Sequence, residues 1–210
     1  MRSRKHAQIR PAPVPVALLL IDVLTTFNFP DGDAILQQAL TIRDPLIKLK
    51  ARARKAGIPT LYVNDNFGDW RSEKEVLMGK CIEAKGGEFV RPLLPDSEDY
   101  FVLKPMHSAF YMTPLEVLLL HLQVETLILT GLTSNSCITV TAHDANMRGF
   151  DIYVPPDCSS ARNPREHKQA LAQLEAMAGV NLKRSTALNL PMLIRDAQAS
   201  QRKAAPRPSR

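Results

Sequence analysis

Cysteine is scarce in this chain: three in 210 residues, Cys81, Cys137 and Cys158, widely spaced and with no CxxC pair. An odd, scattered set argues against a disulfide framework or a cysteine-ligated zinc site, and fits a reducing, cytoplasmic compartment. Long apolar runs are also missing. VALLLI at 16–21 is stopped by Asp22, and nothing approaches the roughly 20 apolar residues of a membrane span. A basic start followed by that run has the outline of a signal peptide, but Asp22 interrupts it and no small-residue cleavage site follows. Aromatic residues make up only 6%. Acid is absent from both ends: residues 1–10 hold Arg2, Arg4, Lys5 and Arg10, residues 201–210 hold Arg202, Lys203, Arg207 and Arg210, and neither stretch has an Asp or Glu. These ends account for more than the whole net charge of +6. The body between them is slightly acidic, which argues against a nucleic-acid partner.

What the chain does contain is an alternation of apolar runs and amphipathic stretches. After a stiff PAPVP lead-in, apolar runs at 16–24, 59–65, 99–105, 125–131, 151–157 and 180–186 read as six strands. Helical periodicity separates most of them, first from about Asp33 to Gly57 with Ile35, Leu36, Leu40, Ile42, Leu46 and Leu49 facing inward and Pro45 bending or splitting it. Further helices are expected at about 72–81, from Thr113 to about Leu122, from Cys137 to Gly149 and from Pro164 to Ala178, while 86–99 reads as irregular. Strands that are apolar end to end, alternating with helices, imply an α/β fold with a mainly parallel six-stranded sheet covered on both faces. The division expected is a basic, flexible segment at 1–15, one domain at 16–190 and a basic tail at 191–210.

In such a sheet, reactive groups gather beyond the carboxyl ends of the strands. Asp22 ends the first strand after six apolar residues, where an unpaired carboxylate would be costly. Lys104 ends the third, set by Pro105, and Cys137 follows the fourth, at the start of a helix whose free N–H groups and dipole favour thiolate. Together they make a chemical set. Asp22 takes the thiol proton and returns it to a leaving amine, Lys104 holds Asp22 charged and favours thiolate, and N–H groups of the loop hold an oxyanion. Taken singly, each has a plainer reading: a buried small cysteine, a carboxylate capping a loop, a lysine whose stem lies on the sheet. Among rival bases, His143 is six positions after Cys137 and turned away from it, His6 and His167 sit in weakly structured or surface contexts, His121 closes a helix, and His107 lies near Lys104.

The segments LLLIDVLTTF, FVLKPMHSAFYMTPLEVLL and LILTGLTSNSCITVTAHDANMRGFDIYVPPDC closely resemble the isochorismatase-like cysteine hydrolases. That superfamily includes nicotinamidases, N-carbamoylsarcosine amidases and ureidoacrylate amidohydrolases. The likeness runs over about 16–190 and rests on the ordered set D…K-P-x-x-S-A-F…G-x-x-x-x-x-C with T-A-x-D-A. The resemblance implies a Rossmann-like three-layer α/β/α sandwich, an Asp22–Lys104–Cys137 triad, a non-proline cis peptide at Leu132–Thr133, an oxyanion hole from the Thr133 and Cys137 N–H groups, and a homo-oligomer, dimer or tetramer. The D-x-H metal motif of nicotinamidases is not matched, since YVNDNFGDWR holds no histidine; neither a metal nor another cofactor is expected. Phe27, Trp70, Ser108 and Phe110 are the expected pocket lining. The expected function is metal-independent hydrolysis of a C–N bond in a small amide, carbamoyl or ureido compound through a thioester. The alternatives are a vinyl ether hydrolase with Cys137 idle, and a non-catalytic scaffold or redox protein.

Overall fold

A computed structural model describes residues 14–68 and 73–204. The sheet holds β1 (Val16–Ile21), β2 (Thr60–Asp65), β3 (Tyr100–Lys104), β4 (Thr126–Leu132) and β5 (Asp151–Tyr153) in the order β3-β2-β1-β4-β5; a two-residue strand, β6 (Ser159–Ser160), pairs with β4. Every pairing is parallel. The helices are α1 (Gly32–Lys55), α2 (Lys74–Glu83), α3 (Gly87–Val90), α4 (Leu115–His121), α5 (Thr139–Met147), α6 (Pro164–Ala178) and α7 (Leu190–Ala204). None of the described helices is long and apolar enough to cross a membrane.

The period-2 geometry of β1 creates the two cores. Val16, Leu18 and Leu20 face one cluster with Ala39, Ile42, Leu46 and Leu49 of α1, while Ala17, Leu19 and Ile21 face another with residues of α4, α5 and α6. All six β1 residues are fully buried. The result is three layers, helix on sheet on helix. Strand order reverses between β1 and β4, so the crevice of this sheet opens where Asp22 and the loop after β4 emerge. At that end Gly131 sits at φ +106°, and a Cβ there would lie 2.1 Å from the Ile21 carbonyl oxygen. Only glycine lets the two central strands approach so closely.

The structure departs from the sequence reading in four places. The sixth strand is Ser159–Ser160, not 180–186, where only Asn181 forms a bridge, to Tyr153. Pro155 and Pro156 lack the N–H a ladder needs, so pairing along β4 stops after β5 and resumes at β6. Most of the stretch read as a basic tail is α7, with Leu190 and Ala197 buried and Leu193 and Ile194 packed on the core. The segment read as irregular contains α3 and a 3-10 turn at Arg91–Leu93. Pro45 lies inside one continuous α1 and so does not split it. Of the N-terminal segment, only Val14 and Pro15 are described; Val14 packs on the core, and the Pro15 carbonyl accepts from the Glu125 and Thr126 N–H groups.

Candidate active site

The three strand-end residues meet. Asp22 leaves β1 at φ +51°, and its N–H donates to the Val63 carbonyl at 3.0 Å. Its Oδ1 accepts from the Asp65 N–H at 2.8 Å. Lys104, two strands away, is fully buried. Its Nζ lies 2.9 Å from Asp22 Oδ2, donates to the Met106 carbonyl at 3.2 Å and approaches Cys137 Sγ at 3.5 Å. Cys137 is half-buried, its sulfur within reach of Lys104 Nζ and His107 Nδ1.

Cys137 does not open the α-helix as expected. It sits in a π-helical turn, Ser134–Ile138, that leads into α5. The Ile138 and Ser136 N–H groups both donate to the Thr133 carbonyl, at 3.2 and 3.1 Å, and Thr139 Oγ1 donates to the Ser134 carbonyl at 2.6 Å. Such wide turns favour functional positions. The Leu132–Thr133 peptide is cis, at the bond the resemblance implied.

Electrostatics alters one expectation. Burial and the Asp22 carboxylate push the Cys137 thiol up to about 12, more than Lys104 pulls it down. The sulfur rests as a thiol rather than the thiolate that a helix start and a cation were expected to stabilise. Burial likewise raises the Asp22 carboxyl above its usual range, against the opposing pull of Lys104, the thiol and the Asp65 N–H. For Lys104, burial disfavours the ammonium, yet Asp22 and Cys137 outweigh it and hold its pKa above the ordinary lysine value. The site thus pairs a carboxylate of raised basicity with a protonated sulfur, which suits proton transfer during attack rather than before it.

The residues between these groups explain the K-P-x-x-S-A-F and T-A-x-D-A stretches. Ser108 donates to Asp144, and the Ala109 N–H donates to Thr141 Oγ1 at 3.0 Å. Phe110 is buried, its ring stacked on Phe150 and covered by the Arg148 guanidinium at 4.7 Å. These contacts fasten the loop after Lys104 to the helix after Cys137. Ser108 and Phe110, expected to line a pocket, are the residues that join these two elements. Phe27 is fully buried against Phe29 and Phe89 in the core. Trp70 and His6 lie outside the described residues.

Two histidines belong to the site's surroundings. His107 Nδ1 lies 3.8 Å from Cys137 Sγ and 3.3 Å from Ser136 Oγ. His167, read as a surface residue, is half-buried: Nε2 faces the Pro156 carbonyl at 3.1 Å and Nδ1 faces Ser134 Oγ at 2.9 Å. Because a carbonyl only accepts, Nε2 carries the proton and Nδ1 accepts from Ser134, tying α6 to the nucleophile turn. Only the helical position of His167 was visible in the sequence. Beside the turn, a cleft of about 360 Å³ is bordered by Thr133, Asn135 and Ser136, with Arg162 paired to Asp31 and Glu166 on its far wall.

Comparison with known proteins gives the family of this chain. Residues 16–184 match the profile of the isochorismatase domain. The chain is 35% identical over 159 residues to the uncharacterized isochorismatase family protein YaaI of Bacillus subtilis (strain 168), over 76% of this chain and 88% of the relative. It is 29% identical over 197 residues to the ureidoacrylate amidohydrolase RutB of Methylobacterium radiotolerans, over 80% and 76% of the two chains. The crystal structure of N-carbamoylsarcosine amidase from Thermoplasma acidophilum superposes with a TM-score of 0.63 at 26% identity, over 83% of this chain and 98% of that one. With a profile spanning every strand of the sheet and all three residues of the crevice, this chain belongs to the isochorismatase family.

Proposed function

We propose that the protein is a cysteine amidohydrolase that cleaves the C–N bond of a small amide, carbamoyl or ureido compound through a thioester on Cys137. The observation that carries this reading is the Lys104 ammonium, 2.9 Å from the Asp22 carboxylate and 3.5 Å from the Cys137 sulfur. As Sγ attacks the carbonyl carbon, its proton passes to Asp22. The tetrahedral oxyanion is held by the Thr133 and Cys137 N–H groups. The C–N bond breaks as Asp22 gives the proton to the departing amine or ammonia, and water then clears the thioester. Lys104 keeps Asp22 ionised between these transfers. Two of the relatives above are named as amidohydrolase and amidase. The metal-free part of the reading rests on the YVNDNFGDWR stretch, which offers no histidine beside the second strand.

The test is a panel of primary amides, ureas and carbamates scored for ammonia release, run with the wild type, Cys137→Ala and Asp22→Asn. Both variants are expected to lose about 10³-fold or more in turnover. Undiminished turnover by Cys137→Ala would sink the nucleophile assignment. No ammonia release from the panel, with cleavage of a vinyl ether that survives Cys137→Ala but not Asp22→Asn, would instead favour the acid-catalysed reaction.

A further inference from the structure

Among the described residues, six large apolar side chains are more than half exposed: Met106, Tyr111, Met112, Val117, Leu120 and Met147. All six come from the loop after β3, from α4 and from the end of α5. Those three pieces are fastened into one surface. Ser108 donates to Asp144, the Ala109 N–H donates to Thr141, and Arg148 joins Asp144 to Glu116 of α4, the latter at 3.1 Å. Within α4, Val117 and Leu120 are three residues apart and share the outward face, while Leu115 and Leu119 pack into the core. Exposed apolar residues scattered singly need no explanation, but a set gathered on one surface does. From their exposed fractions the six present on the order of 800 Å² together; that exceeds the roughly 300–600 Å² of the largest apolar patch on a typical monomer, and it is about what each partner contributes to an interface of standard size.

We propose that this face is an interface between two copies of the chain related by a two-fold axis. A two-fold contact sets one patch against itself, so the patch has to tolerate its own composition and charge. This one does. Its exposed apolar residues include three methionines and a tyrosine, types that interfaces favour over the rest of a surface. The charged groups Glu116, Asp144 and Arg148 are already engaged with one another, so apposing two such faces strands none of them. The face also reaches the reactive groups. The Met106 carbonyl accepts from Lys104 Nζ at 3.2 Å, so a partner seated on Met106 braces the segment that follows the buried lysine. The other side of the sheet, where α7 packs with α1, has no comparable set: its most exposed large apolar residue is Met192, at 50%.

Sedimentation velocity on the purified full chain at micromolar concentration tests this without any substrate. The wild type should sediment at twice the 23.4 kDa of one chain. Val117→Glu, Leu120→Glu and Met112→Glu, made separately at exposed positions and checked for wild-type circular dichroism, should each halve that mass. Met192→Glu, off the face, should leave it unchanged. Oxidation by dilute hydrogen peroxide, read by peptide mapping, gives a second measurement. Exposure in the single chain ranks Met112 (81%) and Met147 (77%) ahead of Met192, so they should oxidise first in the Val117→Glu protein. In the wild type the order should invert, with Met192 first. Wild-type protein at the mass of one chain would overturn the proposal and leave the face to a different protein. An assembly whose mass the three face substitutions do not change, or wild-type oxidation in the single-chain order, would overturn it as well.

Discussion

Lys104→Met is the perturbation that most directly probes the electrostatics of the site. The substitution keeps the length of a fully buried side chain and deletes the ammonium that faces Asp22 at 2.9 Å. A buried charge stripped of its partner typically costs about 3–5 kcal/mol. Asp22 has an escape, however: it can take up a proton. The pH-dependent penalty therefore cannot exceed the free energy of protonating an ordinary aspartate, about 4 kcal/mol at pH 7 and about 1.5 kcal/mol at pH 5. The sign follows from the direction of the shift. Burial already raises the Asp22 carboxyl in the folded protein, so stability falls as pH rises through the unfolded carboxylate value, and Lys104 limits that fall. Without Lys104 the decline continues to higher pH. Urea unfolding of the two proteins at pH 5 and pH 7 should thus show a stability gap that widens with pH within those ceilings. A gap equal at both pH values, or larger at pH 5, would mean that Lys104 contributes packing rather than charge compensation, and the reasoning fails.

Two further outcomes are expected. Gly131→Ala places a methyl 2.1 Å from the Ile21 carbonyl, at a positive φ; it should lower stability by at least ~2 kcal/mol and reduce turnover, because Ile21 directly precedes Asp22. Calorimetry that finds it as stable as the wild type would contradict the close approach of β1 and β4. Iodoacetamide on the folded protein should label Cys137 alone, since Cys81 and Cys158 are fully buried whereas Cys137 is half-buried. All three should react in denaturant, and peptide mapping that finds Cys81 labelled as fast as Cys137 in the folded state would count against the packing described.

The parts of the fold that could be read in advance are those whose physics is local. β1 is apolar along its whole length and β4 over most of it because each is covered on both faces, and that writes itself into composition. Helix α6 carries its own start and stop: Asn163 accepts from the Glu166 N–H at 2.9 Å, and Gly179 takes the left-handed conformation at φ +64°. Helix α7 had a legible signal that its basic residues concealed, since Leu190, Leu193, Ile194 and Ala197 follow the i, i+3, i+4, i+7 spacing of a buried stripe. β6 had none. Two serines carry no periodicity, and they form a strand only because Gly131 and Leu132 stand opposite them.

By itself the sequence determined the order of the five longer strands, the longer helices between them and which polar residues stand at the strand ends, because burial and chain direction are decided within a few residues of each position. The tertiary structure alone decided that a lysine two strands away reaches Asp22, that the sulfur lies in a π turn and rests as a thiol, and that His107 Nδ1 comes within 3.8 Å of it. Those are properties of distance and desolvation between segments far apart along the chain, and they exist only once the sheet has brought the segments together.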